Sequence, residues 1–209
     1  MLKARFSQAD VEVLEQKPLY SGFFQMNAYR LRHASFAGAS IEVQRELFER
    51  GRCVCVLLYD PWQDAVVLLE QFRIGALREP SPWLLELVAG IVEAGETDAE
   101  LAAREAMEEA GATLLALEPM LEYLSSPGGT NEKVGLYLGC VDAKGLGGIH
   151  GLAEEGEDIR VQVVSLAEAC QACDNGRINN AATLMAILWL QLHKQRVIAR
   201  WREQGIYEG

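Results

Sequence analysis

The string Gly90-Ile-Val-Glu-Ala-Gly-Glu96, followed after seven residues by Arg104-Glu105-Ala-Met-Glu108-Glu109-Ala-Gly111-Ala112, constrains this chain more than any other feature. Asp98 to Ala110 contains no Gly or Pro and is rich in Ala, Leu, Met, Glu and Arg, all strong helix formers. Thr97 and Asp98 supply N-cap chemistry, and Gly111 stands where a C′ glycine ends a helix. At about 100° per residue, Glu105, Glu108 and Glu109 share one arc of that helix. Ala103, Ala106, Met107 and Ala110 fall in a separate arc suited to packing on a core. Like charges at i, i+3 and i+4 cost a helix about 0.2–0.5 kcal/mol per pair, and a bound divalent cation would offset that. A run of glutamates is most often a solvated face. Here two glycines bracket the loop before the helix, and Arg104 can hold a carboxylate through its guanidinium fork. Those neighbours favour a site over a surface.

Oxygen donors without imidazole or thiolate point to Mg²⁺ or Mn²⁺. Such ions bridge phosphate oxygens and activate water, so the expected reaction is water attack on a diphosphate. No P-loop pattern occurs, which argues against kinase or motor chemistry. A net charge of −11 argues against a broad nucleic-acid or anionic-membrane surface. It leaves room for a small anionic ligand, because bound cations invert the local field. The 209 residues suffice for one good-sized domain or a domain with a small companion.

Five cysteines, an odd number without framework spacing, suggest reduced thiols and a cytoplasmic protein. Cys170 and Cys173 form a lone C-x-x-C and read as small helix residues; Cys53 and Cys55 read as core. The N-terminus lacks the apolar stretch of a secretory signal. The longest apolar run, Ala181 to Leu190, falls short of the roughly 20 residues of a membrane span. His33, His150 and His193 are scattered and read as surface or structural residues.

Tyr29 to Arg32 and Ile41 to Gln44 alternate with period two, as half-buried strands do. Cys53 to Tyr59 is a continuous apolar run suited to a strand buried on both faces. A turn at Asp60–Asp64 returns the chain as Ala65 to Leu69. Trp83 to Val88 reads as one further strand leading into the glycine-bracketed loop. Leu121–Leu124, Val134–Leu138 and Arg160–Val164 read as strands, and Lys144 to Asp158, rich in glycine and acids, as a mobile loop. Leu166–Cys173 and Asn179–Arg202 read as helices, the latter with an apolar stripe through Leu184, Ile187, Leu188 and Gln191. The class is α+β: a small N-terminal antiparallel sheet, then a mixed sheet sandwiched by helices.

The whole string from Gly90 to Ala112 resembles the signature of the Nudix hydrolases, G-x5-E-x7-R-E-U-x-E-E-x-G-U. Gly90, Glu96, Arg104, Glu105, Glu108, Glu109 and Gly111 fill every fixed letter. The two U positions, normally bulky aliphatics, are Ala106 and Ala112, a departure that concerns packing more than ligation. Trp83 to Gly90 ahead of the string, and Ser125-Ser126-Pro127-Gly128-Gly129-Thr130 behind it, are similar to the ADP-ribose pyrophosphatase branch of that family. The similarity runs from about Tyr20 to His193.

That resemblance implies Mg²⁺-dependent hydrolysis of ADP-ribose to AMP and ribose 5-phosphate, with Mn²⁺ as a possible substitute. Metal contacts would fall to Glu105, Glu109, Glu157 and the backbone carbonyl of Ala89. Glu155 would be the general base, although Glu154 and Glu157 lie close enough that the choice among the three stays open. Glu108 and Arg104 would complete the catalytic group. Phe23 and Phe24 would sandwich adenine, with Arg45, Glu46, Arg50, Arg73, Ile91, Ser126 and Glu132 as further substrate contacts. The family pattern also implies a homodimer in which residues 1–50, an N-terminal sheet subdomain, are exchanged, while 51–209 form the Nudix domain. Two other readings stay open: a diphosphatase for another sugar nucleotide such as ADP-glucose or GDP-mannose, and a non-catalytic ADP-ribose sensor.

Overall fold

The computed structural model describes residues 2–152, 154 and 156–208. The chain divides into two compact units, Met1–Gly51 with Leu124–Lys133, and Arg52–Tyr123 with Val134–Gly209.

In the first unit, β1 (Val11–Ser21), β2 (Gln25–Ala34) and β3 (Ser40–Glu49) form an antiparallel sheet in sequence order. The register of β1 shifts between Val13 and Glu15 and between Pro18 and Tyr20. Proline has no N–H to give a ladder and is tolerated on an edge strand at such an irregularity. The returning segment is fastened by backbone: Phe48 N donates to Gly129 O at 2.9 Å. Asn131 Oδ1 accepts from Arg50 N at 2.7 Å and from Gly51 N at 3.1 Å. Val11, Val13, Leu19, Tyr20 and Ile41 stay exposed on the sheet.

In the second unit, β4 (Arg52–Asp60), β5 (Ala65–Phe72), β6 (Trp83–Glu86) and β7 (Val88–Ile91) precede α1 (Asp98–Ala110). Then follow β8 (Ala116–Leu124), β9 (Lys133–Cys140), β10 (Gly148–His150), β11 (Ile159–Ser165), α2 (Leu166–Asp174) and α3 (Ala181–Glu203). The larger sheet runs β10-β11-β5-β4-β9-β8, with β6 paired to β5 and β7 to β4. The apolar run in β4 is covered on both sides. Val54, Val56 and Leu58 meet Leu101, Ala102, Ala106 and Ala110 of α1. Cys55, Leu57 and Tyr59 meet Ile187, Leu190, Val197 and Trp201 of α3. The α+β class follows from this layering.

Several expectations are corrected. The single strand expected over Trp83–Val88 breaks at Leu87 and runs on to Ile91, because the chain changes neighbours: Glu86 pairs with Leu69 of β5, Ala89 with Cys55 of β4. The segment Lys144–Asp158, expected as loop throughout, contains β10, hydrogen-bonded to β11; three residues are too few to show a period. On α3 the buried stripe is Thr183, Ala186, Ile187, Leu190, Val197 and Trp201, and Leu188 is exposed. On α1, Ala103 and Met107 face outward while Leu101 and Ala102 take the core positions. Cys170 and Cys173 do lie in a helix, as expected, packed partly against the α3 side of the core.

α1 starts on a capping box, with Thr97 Oγ1 accepting from Glu100 N and the Glu100 carboxylate accepting from Thr97 N. It ends at Gly111 (φ 62°), where Ala112 N donates to Ala106 O and Gly111 N to Met107 O. A Cβ at Gly111 would also stand 2.9 Å from Cε1 of His150. Gly111→Ala is therefore expected to cost at least the roughly 1–2 kcal/mol of a left-handed L-residue, seen as a lower urea midpoint at unchanged m.

Candidate active site

β7 and α1 meet where the sheet gives way to the glutamate helix. A Cβ at Gly90 would fall 2.3 Å from Oε1 of Glu105, so only glycine lets that carboxylate lie against the strand. Next to it, Ala89 N donates to Oε2 of Glu109 at 2.9 Å. Glu109 is 4% exposed and shares the buried face of α1 with Ala106 and Ala110. The small side chains at Ala106 and Ala112, both buried, let the helix sit close to the sheet and bring its acids inward.

Arg104 is the hub on the open side. Its Nε donates to Glu96 Oε1 at 3.1 Å, and its Nη1 to Glu105 at 2.9 Å and to Glu108 at 3.1 Å. Burial pushes the Glu109 carboxyl up to about 8, with the charges of Glu105 and Glu157 adding to the rise and the Ala89 amide and Arg73 opposing it. Burial also raises Glu105; Arg104 pulls it down, while Glu108 and Glu157 push it further up. Glu157 therefore belongs to the same electrostatic cluster. It is held at the neck of its loop, where Leu152 N donates to its carboxylate at 3.2 Å and Gly151 lies against its Cβ.

A buried carboxylate in like-charged company is costly unless a cation joins it. The donors are all oxygen, the set that suits a hard divalent ion. Among the described residues no three acidic, His or Cys side chains close into a ready cation cage. Arg104 draws Glu105 and Glu108 to itself, and Glu109 turns to the Ala89 amide.

The remaining expected site residues divide between the units. In the second, Arg73 pairs with Glu86 at 2.7 Å and its charge acts on Glu109. Ile91 is half exposed on β7 opposite Cys53. In the first, Phe23 is 90% exposed and meets Phe24 edge-on at 4.7 Å. The Arg50 guanidinium lies 4.7 Å over the Phe24 ring, and its Nε donates to Glu132 at 3.0 Å. Arg45 and Glu46 line a groove of about 580 Å³ with Glu15, Lys17, Tyr29 and Arg30 on the small sheet. Ser126 is exposed and turns its carbonyl to Gly129 N and Thr130 N. Glu155 lies outside the described residues.

One supporting group escaped the sequence reading. Arg52 Nε donates to Asp98 at 2.9 Å and its Nη1 to Glu122 at 2.6 Å, while Tyr137 Oη donates to Asp98 at 2.6 Å. The guanidinium and phenol hold the Asp98 carboxyl below its usual range and fasten the first turn of α1 to the sheet. Its only sequence signal is an arginine opening an otherwise apolar strand.

The family model described as NUDIX domain matches residues 49–186. The chain is 49% identical over 202 residues to the ADP-ribose pyrophosphatase of Escherichia coli (strain K12), covering 96% of this chain and 97% of that protein. It is 45% identical to the ADP-ribose pyrophosphatase of Haemophilus influenzae, covering 94% and 93%. To the GDP-mannose pyrophosphatase of Cronobacter sakazakii it is 30% identical, covering 88% and 96%. A solved structure titled as an ADP compounds hydrolase superposes with a TM-score of 0.66 at 18% identity, covering 97% of this chain and all of that one, and shares the fold. With the glutamate helix, its glycine-bracketed loop and these matches together, the chain belongs to the NUDIX domain family.

Proposed function

We propose that this protein hydrolyses ADP-ribose to AMP and ribose 5-phosphate with Mg²⁺, or Mn²⁺ in its place. The observation that carries the reading is the buried Glu109 beside Glu105, an oxygen-only set whose like charges call for a cation. The relatives named ADP-ribose pyrophosphatase, matched along nearly the whole chain, support the choice of substrate. Glu105, Glu109, Glu157 and the Ala89 carbonyl would hold the metal. A divalent ion there would neutralise diphosphate charge and lower the pKa of water.

The chain's own groups do the rest. Arg104 keeps Glu105 and Glu108 oriented. Arg73, already fixed by Glu86, grips phosphate through its guanidinium. Glu155 takes the proton from the attacking water. In the first unit, Phe23 and Phe24 stack on adenine, with Arg45, Glu46, Arg50, Ser126 and Glu132 as polar contacts and Ile91 as an apolar one from the second. The exposure of Phe23 and the guanidinium over Phe24 are consistent with a stacking platform.

The reading extends to a homodimer that exchanges the small sheet and shares both sites, and to the cytoplasm. Support for the first is the row of exposed apolar residues on a three-stranded sheet. Sedimentation equilibrium should return twice the 23.1 kDa of one chain; a monomer at micromolar concentration rejects the exchange. For the second, no disulfide joins the described cysteines, and no helix among the described residues is long and apolar enough to cross a membrane. The function is tested by incubating purified protein with ADP-ribose, ADP-glucose and GDP-mannose in Mg²⁺. AMP release with the highest kcat/KM on ADP-ribose is expected. Preference for GDP-mannose would move the assignment to the more distant relatives, and no AMP at any metal concentration would dismiss it.

A further inference from the structure

Gln71 is 6% exposed on β5, and its Nε2 is buried without an acceptor among the described residues. A buried amide donor left unpaired is a cost to the fold, and native structures keep few of them. Three other buried atoms share this condition: Glu118 Oε1, Thr183 Oγ1 and Trp201 Nε1. Thr183 and Trp201 belong to α3 and Glu118 pairs with Arg200 of α3, so these lie on the far side of the sheet. Gln71 is on the other face. Alternation along β5 puts it with Val67 and Leu69, which pack with Ala106 and Ala110 of α1.

Its neighbours on that face are those of the proposed site. Leu69 pairs with Glu86 and Gln71 with Leu84 across the β5–β6 ladder. Two residues on, Arg73 reaches back to Glu86, and its charge is felt by Glu109. On the other flank, extending the Arg160–Glu70 register by one step sets Gln71 opposite the buried Ile159, two residues after Glu157. A neutral donor thus stands on the α1-facing side of β5, two residues before the arginine whose charge acts on Glu109 and one register step from the strand that follows Glu157. A diphosphate is dense in acceptor oxygens, and a neutral N–H can orient one of them without repelling a cation, as another guanidinium would.

We propose that Gln71 is a substrate-binding residue whose Nε2 donates a hydrogen bond to a non-bridging oxygen of the diphosphate. This rests on the diphosphatase reading above. It does not follow from the signature string, which begins nineteen positions later at Gly90.

The test compares wild-type protein with Gln71→Met, of similar length but without the donor. Steady-state turnover of ADP-ribose, thermal melting, and calorimetric binding of ADP in EDTA are read side by side. Expected are a melting temperature at or above wild type, since the unpaired amide is gone. Alongside it, kcat/KM and ADP affinity should fall roughly 10–100-fold, the worth of one hydrogen bond to a charged group. Values within twofold of wild type overturn the assignment, as does a melting temperature that falls in step with activity. Should Gln71→Met not fold, the assigned side-chain amide resonance of Gln71 in wild-type protein decides: it should move downfield on adding ADP, and an unmoved resonance overturns the proposal. A wild type that releases no AMP breaks the enzymatic reading. A wild type that turns over, matched by Gln71→Met, breaks only this inference.

Discussion

Glu109→Gln should lower kcat for ADP-ribose by about 10³-fold, the several kcal/mol of charge stabilisation lost with a metal contact at about 1.4 kcal/mol per decade. The same change should leave the fold intact. Glutamine fills the same buried space, keeps an oxygen for the Ala89 amide, and removes a charge that burial and the charges of Glu105 and Glu157 disfavour. Turnover in Mg²⁺ should thus fall while stability in EDTA above about pH 8, where the wild-type carboxyl is ionised, rises. Steady-state kinetics at saturating Mg²⁺ and a urea titration in EDTA at about pH 8.5 check this. Turnover within tenfold of wild type would show that the chemistry lies elsewhere.

The second large effect is the pH dependence of stability in EDTA. In the unfolded chain Glu109 ionises near its ordinary value of 4.5; in the fold it does so at about 8. Between those values the folded state holds a proton that the unfolded state has released. Stability therefore falls as pH rises through this window and levels off above about 8. At about 1.4 kcal/mol per unit, the loss across the whole window is on the order of 5 kcal/mol. Glu105, raised in the same direction, adds to it. Asp98, held low by Arg52, contributes the opposite slope only at acid pH, where its stabilisation is lost as the carboxyl protonates. Urea midpoints at pH 6 and 8.5 in EDTA should differ strongly for wild type and little for Glu109→Gln, and a saturating divalent cation should remove most of the wild-type slope. A flat wild-type profile in EDTA would contradict the burial of this charge.

The most legible part of the sequence was the helix that carries the acids. Its limits follow from Thr97, Gly111 and the absence of breakers between them, local chemistry that needs no tertiary knowledge. The strand at β4 was equally plain, because an apolar run without alternation has to be covered on both faces. What stayed hidden depends on long-range pairing. The break at Leu87 exists only because β6 and β7 lie on different partners, and β10 only because β11 is there to receive it. The rotation of α1 and α3 about their axes is not legible where Ala, Met and Leu fit either face; Met107 and Leu188 point outward. In the site, side-chain type and spacing gave the acids. They could not give the inward turn of Glu109, the Arg52–Asp98–Tyr137 clamp or the unpaired amide of Gln71, each set by residues distant in sequence.

Crystals soaked in Mn²⁺ and collected at a wavelength where manganese scatters anomalously put the account at risk in a single experiment. An anomalous peak is expected within ligating distance of the Glu105 and Glu109 carboxylates and the Ala89 carbonyl, with Arg104 released from Glu105 to make room. A fully active preparation whose manganese sits elsewhere, leaving those carboxylates bare, would contradict it.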